Sequence, residues 1–486
     1  MGSVRKSLAL SAVDNYLGLV LQVASTVVLA RILTPQQIGV YAVAAVFASL
    51  ASTFRDFGVS EYLIQERDLD RDTLRAALTV NITISWCMGL LLLVAAPFLA
   101  EFYRERGVRE VMNVLACNFL FIPFGAVTMA WFRRELNFRP IVIVNVTANT
   151  ASFLVVVTLG LNGFGYMSLA WSSLAGVVVS LLVVSLFRPA NFPRWPGLRG
   201  VGKVFHFGKF ASSMYVFGQA GKGAPEMIIG RVQDMAAVGM FSRAYGIVEL
   251  FNRLVLRSLS SVYLPYFARS TREDGTSRRG LRTAVSYLTA VGWPFLMFMT
   301  VVAYAAIRII YGEQWLPAVP LAQVLCLAGA VEIMYYPARE AMLAQGRAKE
   351  GNNLQIIMQS LRVIGLLAAV PFGLAGACWG LVAGAVGGAI ASHWYLTRFA
   401  GWSAHDLWLA VRPSLLITAI VVAPIYLMIS VVPIGEHNYV RVGLAAGALG
   451  FALWMAALLW LRHPLWAEIA DMLAPMLLRL GGRPPT

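Results

Sequence analysis

The feature that most constrains this chain is a series of apolar stretches, each close to 20 residues long, that recurs along the whole sequence. A helix of that length is about 30 Å long, which matches the hydrocarbon thickness of a bilayer. We predict about fourteen membrane-spanning helices, near 12–32, 37–54, 76–99, 110–132, 141–161, 169–187, 208–230, 237–262, 283–305, 318–338, 354–372, 376–396, 413–432 and 442–461. Only 13% of the residues are charged, which excludes an ordinary soluble domain. The predicted fold class is an all-α integral membrane protein.

The basic residues predict the orientation of these spans. The formal net charge is +15, but a nucleic-acid partner is not expected, because the charge is divided unequally between the two sides of the predicted membrane. The connections on the side of the N-terminus hold about 27 Lys and Arg, and those on the other side about 7. The positive-inside rule therefore places both termini in the cytoplasm. Arg5 and Lys6 precede the first apolar run as in a signal peptide, yet Asp14 and Asn15 interrupt it, so we expect a retained helix.

An internal repeat predicts the domain organisation. The segment 31–44 is similar to 231–244, and 164–176 is similar to 372–384, so the two matches have offsets of 200 and 208 positions. Each offset covers six predicted spans, an even number, which implies a parallel repeat. We expect two six-helix lobes, 1–200 and 201–400, followed by 401–486 with two extra spanning helices and an amphipathic cytoplasmic tail. The Pro-rich and Arg-rich segment 188–199 is the predicted linker.

Catalytic and cofactor sites are not predicted. The five histidines are scattered, and the four cysteines lie singly inside apolar stretches, where the small buried hydrophobe is the expected role. No phosphate-loop pattern and no paired metal-ligand spacing is present in the sequence. We therefore expect a protein that is not an enzyme and that carries neither a cofactor nor a metal.

Charged residues inside the apolar spans are the candidate functional residues. A charge near the bilayer centre costs at least about 2.5 kcal/mol, so it is expected to face a water-filled cavity or a partner. Arginine and lysine favour an anionic substrate such as a phosphate, and carboxylates are candidate sites for ion coupling. The predicted substrate-binding residues are Lys222, Arg243, Arg253, Arg257 and Arg362, and the predicted ion-coupling residues are Asp14, Glu226 and Glu249.

Structural explanations for the same residues stay open. Lys222 with Glu226, and Glu249 with Arg253, are spaced for ion pairs one helical turn apart. Arg257 is close enough to the inner interface to extend toward water, and Asp14 is equally well explained as an interfacial cap. The sequence alone does not choose between these roles.

The segment from Leu29 to Tyr41, with Leu-Thr-Pro-Gln-Gln-Ile-Gly-Val-Tyr at its end, is followed by Asp56-Phe57-Gly58. It resembles the start of bacterial polysaccharide flippases of the O-antigen type, in the multidrug, oligosaccharidyl-lipid and polysaccharide exporter superfamily. The elements 229–244 and 311–315 are similar to the family's pattern in its second lobe. The resemblance covers essentially the whole chain, but its motifs are mainly structural and identify no binding residue.

The resemblance implies a transporter of the bacterial inner membrane that moves an undecaprenyl-diphosphate-linked oligosaccharide repeat from the cytoplasmic to the periplasmic leaflet by alternating access. It implies membrane lipids, a proton or sodium ion, and a polysaccharide polymerase with other assembly proteins as partners. It leaves open whether the product is lipopolysaccharide, capsule or exopolysaccharide. The alternatives are a cation-coupled multidrug extruder of the same superfamily and, less favoured, a membrane polysaccharide polymerase or a non-transporting scaffold.

Overall fold

The computed structural model describes residues 2–56, 58–66, 69–189, 192–193, 195–256, 267 and 278–470. Within these ranges, the side chains of 2–15, 56, 61, 206–216 and 254 are left out of the description. The described residues are predominantly helical and contain no strand. They confirm the predicted all-α class.

The chain divides into two compact units, 1–242 and 243–486. The first unit contains eight helices and the start of a ninth: α1 (Gly2–Ile32), α2 (Pro35–Asp56), α3 (Val59–Gln65), α4 (Arg71–Tyr103), α5 (Arg106–Arg134), α6 (Phe138–Leu161), α7 (Met167–Leu186), α8 (Val201–Val232) and α9 (Met235–Phe251). Consecutive helices pair α4 with α5 and α6 with α7, while α1 packs on α6 and α2 on α8. Short connections force such antiparallel neighbours.

The second unit begins within α9, which continues as a π-helical turn, Asn252–Leu256. Seven further helices follow: α10 (Arg278–Ile310), α11 (Val319–Met334), α12 (Ala338–Ala344), α13 (Ala348–Ala369), α14 (Gly373–Ala400), α15 (Ala404–Val431) and α16 (Tyr439–Trp460). The helix α13 pairs with α14, and α10 packs on both α11 and α15. Two 3₁₀ turns, Glu313–Ala318 and Val370–Phe372, precede α11 and α14.

The helices agree with the predicted membrane spans. Each of the fourteen predicted spans coincides with a described helix, except that 237–262 runs beyond the described end of α9 and its π turn. Among the described residues, 10 helical stretches are long and apolar enough to cross a membrane, one of which, 348–400, contains both α13 and α14. Several helices are longer than predicted, and α4 and α10 each have 33 residues. The chain is therefore a multi-pass membrane protein.

The first turns of α2 and α9, which belong to the internal repeat, contact each other within the first unit. A Cβ atom at Gly39 would lie 1.7 Å from the Met235 carbonyl oxygen, and one at Gly239 would lie 2.0 Å from the Pro35 carbonyl oxygen. Backbones this close are compatible only with glycine, as in other close helix crossings in membranes. The repeated Ile-Gly and Val-Gly steps of the sequence thus have a packing role.

Candidate functional site

The candidate site in the second unit begins with Glu249 and Arg253 at the end of α9. The Arg253 Nε atom donates to the Glu249 Oε1 atom at 2.9 Å, and the Asn252 amide reaches Glu249 Oε2 at 3.5 Å. About a third of each charged side chain is exposed, 31% for Arg253 and 30% for Glu249. A charged side chain does not face lipid when it can face water. The pair is therefore accessible from outside the helix, in a segment that the sequence predicts to span the membrane.

The π-helical turn Asn252–Leu256 carries Arg253. Single π turns inside α-helices occur often at functional sites, since they change the direction of the side chains that follow. Phe251, just before the turn, is buried and stacks on Phe295 with ring centroids 5.4 Å apart. Gly292 leaves room for that ring, because a Cβ atom there would lie 3.0 Å from Phe251 Cζ. Helix α10 thereby fixes the position of the turn.

Arg362 of α13 forms a second charged pair in the same unit. Its Nη1 atom lies 3.6 Å from Glu332 Oε1 of α11, and the Arg362 side chain is mostly buried at 13% exposure. The guanidinium carbon lies 5.8 Å from the Tyr245 ring centroid. Arg362 is thus held between a carboxylate and an aromatic ring.

Tyr245 connects the two charged pairs. It lies on α9 one helical turn before Glu249, and its ring lies against the guanidinium of Arg362. We call Tyr245, Glu249, Arg253, Glu332 and Arg362 the polar cluster. It carries two cations and two anions contributed by α9, its π turn, α11 and α13.

Arg243 lies apart from the polar cluster among aromatic side chains. Its guanidinium carbon is 5.5 Å from the ring centroids of both Tyr311 and Trp315, and both rings are buried. The Tyr311 hydroxyl fits over Gly246, where a Cβ atom would lie 2.8 Å away. Cation–π contacts of this kind hold an arginine in place without a carboxylate. The aromatic motif 311–315 therefore packs around Arg243.

Lys222 and Glu226 lie on α8 in the first unit and do not form the ion pair that their spacing allows. Lys222 is exposed and has no ion-pair partner within the part of the chain that the structure describes. Glu226 is partly buried. The face of α8 that includes Gln219 and Gly223 packs on α2, through a hydrogen bond of 2.6 Å from Gln219 to Ser49. Of the other predicted residues, Arg257 and the side chain of Asp14 lie outside the described residues.

The sequence prediction of the site omitted Tyr245. Glu332 is recognisable in the sequence as an acid inside a predicted span, but the sequence alone indicates neither a role nor a partner for it. Tyr245 gives no such signal, because tyrosine is common in membrane helices and its role depends on contacts with α11 and α13. The described residues contain no group of three or more His, Cys, Asp or Glu side chains arranged to hold a metal ion.

The fold defines a class of membrane protein with known structures. The chain is similar to a structure titled lipid II flippase MurJ, inward closed conformation, with a TM-score of 0.73 and 12% identity over 94% of this chain and 98% of that one. It is also similar to an inward-facing multidrug resistance MATE family transporter, with a TM-score of 0.59 and 13% identity over 81% of this chain and 98% of that one. The fold is therefore that of the MurJ and MATE transporters.

Sequence comparison then gives the family. The chain belongs to the polysaccharide biosynthesis protein family, whose model matches residues 28–320. It is 28% identical over 306 residues to the teichuronic acid biosynthesis protein TuaB of Bacillus subtilis, with 60% of this chain aligned, and 26% identical over 321 residues to the succinoglycan biosynthesis transport protein ExoT of Rhizobium meliloti, with 63% aligned. These alignments span 61% and 62% of the lengths of the two relatives.

Proposed function

We propose that this protein is a flippase that moves an undecaprenyl-diphosphate-linked oligosaccharide repeat unit from the cytoplasmic to the periplasmic leaflet of the bacterial inner membrane. A diphosphate and a sugar chain cannot cross hydrocarbon unaided, because burying charged and polar groups without partners is prohibitive. Family membership, relatives titled as polysaccharide biosynthesis and transport proteins, and a fold shared with a lipid II flippase support this substrate class.

The observation that carries the proposal is Arg253, a partly exposed cation in a segment that the sequence predicts to span the membrane. Its guanidinium uses Nε to bind Glu249. The two terminal nitrogens of an arginine side chain form a fork that suits phosphate oxygens. We assign Arg253 to the substrate diphosphate, with Arg257 as a second cation on the same segment. Arg243 and Arg362 stay in the proposal as further cations of the second unit, and Lys222 stays in it as a candidate substrate contact of the first unit.

Ion coupling is assigned to the carboxylates. Glu249 is one-third exposed and pairs with the proposed substrate-binding arginine. Protonation of Glu249 would free Arg253 for a phosphate, which links a proton to substrate binding. Glu226 and Asp14 are the further candidates, and sodium is the alternative ion.

Orientation, lobes and partners complete the proposal. In this proposal both termini lie in the cytoplasm, which the distribution of basic connections supports. The cycle proceeds by alternating access of two repeat lobes, 1–200 and 201–400, with 401–486 appended. A polysaccharide polymerase and other assembly proteins act on the product after translocation. The protein itself makes and breaks no covalent bond.

A deletion strain tests the proposal in cells. We expect the lipid-linked repeat to accumulate with its sugars in the cytoplasmic leaflet, and a plasmid copy of the gene to restore surface polysaccharide. Sensitivity to cationic drugs should stay unchanged. Normal polysaccharide export together with increased drug sensitivity would contradict the proposal and favour a multidrug extruder. Export of single units with loss of chain elongation would favour a polymerase.

A further inference from the structure

A second group of cations lies in the second unit, where α13 begins and α14 ends. The guanidinium carbons of Arg347 and Arg398 lie 5.1 Å and 5.8 Å from the ring centroid of the same residue, Phe399. Arg398 also lies 5.7 Å from the ring centroid of Trp394. Both arginines are exposed. We call Arg347, Trp394, Arg398 and Phe399 the interfacial arginine patch.

Neither guanidinium of this patch is neutralised. Within the described part of the chain, Arg347 and Arg398 have aromatic contacts but no carboxylate and no hydrogen-bond acceptor. The nearest acid along α13 is Glu350, which makes no ion pair with them, and Asp406 is bound to Arg278 at 2.7 Å. Two adjacent cations without an anion attract a negatively charged ligand.

The backbone adds donors at the same place. Arg347 is the N-cap residue of α13, and no side chain caps this helix end. The N–H groups of the first turn and the helix dipole favour an anion there. Arg347 is held in position because its N–H donates to the Met342 carbonyl at 3.0 Å, after the left-handed turn at Gly346, where φ is 74°. The patch is therefore formed by the fold and does not depend on flexible side chains alone.

The surface next to the patch is apolar. Val386, Ile390 and Trp394 precede Arg398 at intervals of four residues on α14, so these four residues share one helix face. The three are exposed at 42%, 67% and 55%. An exposed apolar face that ends in a tryptophan and an arginine is the pattern of a helix crossing from hydrocarbon into the headgroup region.

We propose that the interfacial arginine patch binds an anionic phospholipid of the membrane, cardiolipin or phosphatidylglycerol. The headgroup phosphate lies between Arg347 and Arg398 at the start of α13, and the acyl chains lie along Val386, Ile390 and Trp394. A phospholipid is the occupant that satisfies the cations and the adjoining apolar face together. Basic sites between helices at the cytoplasmic surface favour such lipids, and the proposed orientation places the patch there. The site is independent of the substrate, and only its placement at the cytoplasmic surface rests on the proposed orientation.

Native mass spectrometry and thermal unfolding of the detergent-purified full chain, with added cardiolipin, test the proposal. The test variant is a double variant that combines Arg347→Gln with Arg398→Gln. The matched control is Arg139→Gln, because Arg139 is an exposed arginine in the first turn of α6 without an aromatic contact in the described structure. We expect the double variant to bind cardiolipin at least about fivefold more weakly. We expect the wild type and the Arg139→Gln control to bind it equally.

Three results would overturn the proposal. The first is that the double variant binds cardiolipin as tightly as the wild type does. The second is that the wild type binds phosphatidylcholine as tightly as cardiolipin. The third is that inorganic phosphate protects the protein from thermal unfolding as strongly as cardiolipin does. Should the double variant fail to fold, Arg398→Lys tests the same contact, since it keeps the charge but loses the guanidinium plane over Trp394 and Phe399. Unchanged affinity in that variant, together with unchanged affinity in Arg347→Gln, also counts against the patch.

Discussion

Glu332 determines the charge balance around Arg362. The Arg362 side chain is mostly buried, and removing its carboxylate partner leaves a cation that is only partly compensated by Tyr245. We expect Glu332→Gln to lower the free energy of unfolding by about 1 kcal/mol, less than for a fully buried pair because Glu332 is itself 37% exposed. The apparent melting temperature in detergent measures this.

The matched control for this substitution is Glu313→Gln. Glu313 also lies 3.6 Å from a mostly buried arginine, Arg308, but is 72% exposed. Its replacement should have a smaller effect, since solvent screens an exposed pair. A larger loss of stability in Glu313→Gln than in Glu332→Gln would contradict this ranking, and no loss in Glu332→Gln would show that the Glu332–Arg362 pair is not a stabilising contact.

His463 predicts a pH dependence of stability. The ring is buried after the end of α16, Nε2 lies 2.9 Å from Ser286 Oγ, and Nδ1 accepts from the Leu465 N–H at 3.2 Å. Burial lowers the pKa of His463 below its usual value of 6.5. The unfolded chain therefore takes up the proton first as the pH falls, so stability is retained above about pH 6.5 and lost below it.

Melting temperatures between pH 8 and pH 5 test this prediction. The wild type should lose more stability below pH 6.5 than His463→Gln, which cannot be protonated there. Parallel curves for the two proteins would mean that the pKa of His463 is the same in the folded and the unfolded chain, against the effect expected from its burial. His437, an exposed histidine, gives the control variant His437→Gln, which should follow the wild type.

At the scale of elements, the crossing of α2 and α9 makes the clearest prediction. A methyl group at Gly39 or Gly239 collides with backbone carbonyl oxygens, which cannot move as a side chain does. We expect Gly39→Ala and Gly239→Ala each to destabilise the protein by roughly 1–3 kcal/mol. The loss should appear in the melting temperature, and translocation should fall with it.

Gly447 provides the control for this crossing. It lies inside α16 with no atom within 4 Å of the position that a Cβ would occupy. Gly447→Ala should be neutral or slightly stabilising, because alanine is the better helix former. If Gly39→Ala is as stable as Gly447→Ala, the starts of α2 and α9 do not approach each other as closely as described.

The helices themselves were predictable from the sequence, and the ends of several were not. Runs of about 20 apolar residues locate the spans through the hydrocarbon thickness alone. They do not report where a helix continues into water, so α4 and α10 extend well beyond the predicted limits. The π turn at Asn252–Leu256 could not be predicted from the sequence either. It depends on the packing of Phe251 against α10, a contact between distant parts of the chain.

The candidate site was predictable to the extent that charge inside a span is visible in the sequence. Arg243, Arg253 and Arg362 all met that criterion, yet their surroundings differ. Arg243 is held by Tyr311 and Trp315, residues about seventy positions away, whereas Arg253 pairs with its own helix. Only the three-dimensional contacts separate an arginine that packs from one that stays accessible.

At the scale of the whole molecule, composition, span count and family lead to the same class of protein. The chain is a multi-pass helical protein with the MurJ and MATE fold, and the charges inside its predicted spans need a polar ligand or partners. Assembly of a polysaccharide from lipid-linked repeat units requires that the charged diphosphate and the sugars of each unit cross the bilayer. The proposed flippase function accounts for the cations, the carboxylates beside them and the apolar exterior together.

The most direct test is the flipping of a fluorescent undecaprenyl-diphosphate oligosaccharide in proteoliposomes that contain the wild type, Arg253→Gln or Arg139→Gln. Because a charge-assisted hydrogen bond contributes about 1.5–3 kcal/mol, we expect Arg253→Gln to slow translocation by tenfold or more while its melting temperature stays near that of the wild type. Arg139→Gln should match the wild type. Equal rates in all three would contradict the assignment of Arg253, and no translocation by the wild type under any proton or sodium gradient would contradict the flippase itself.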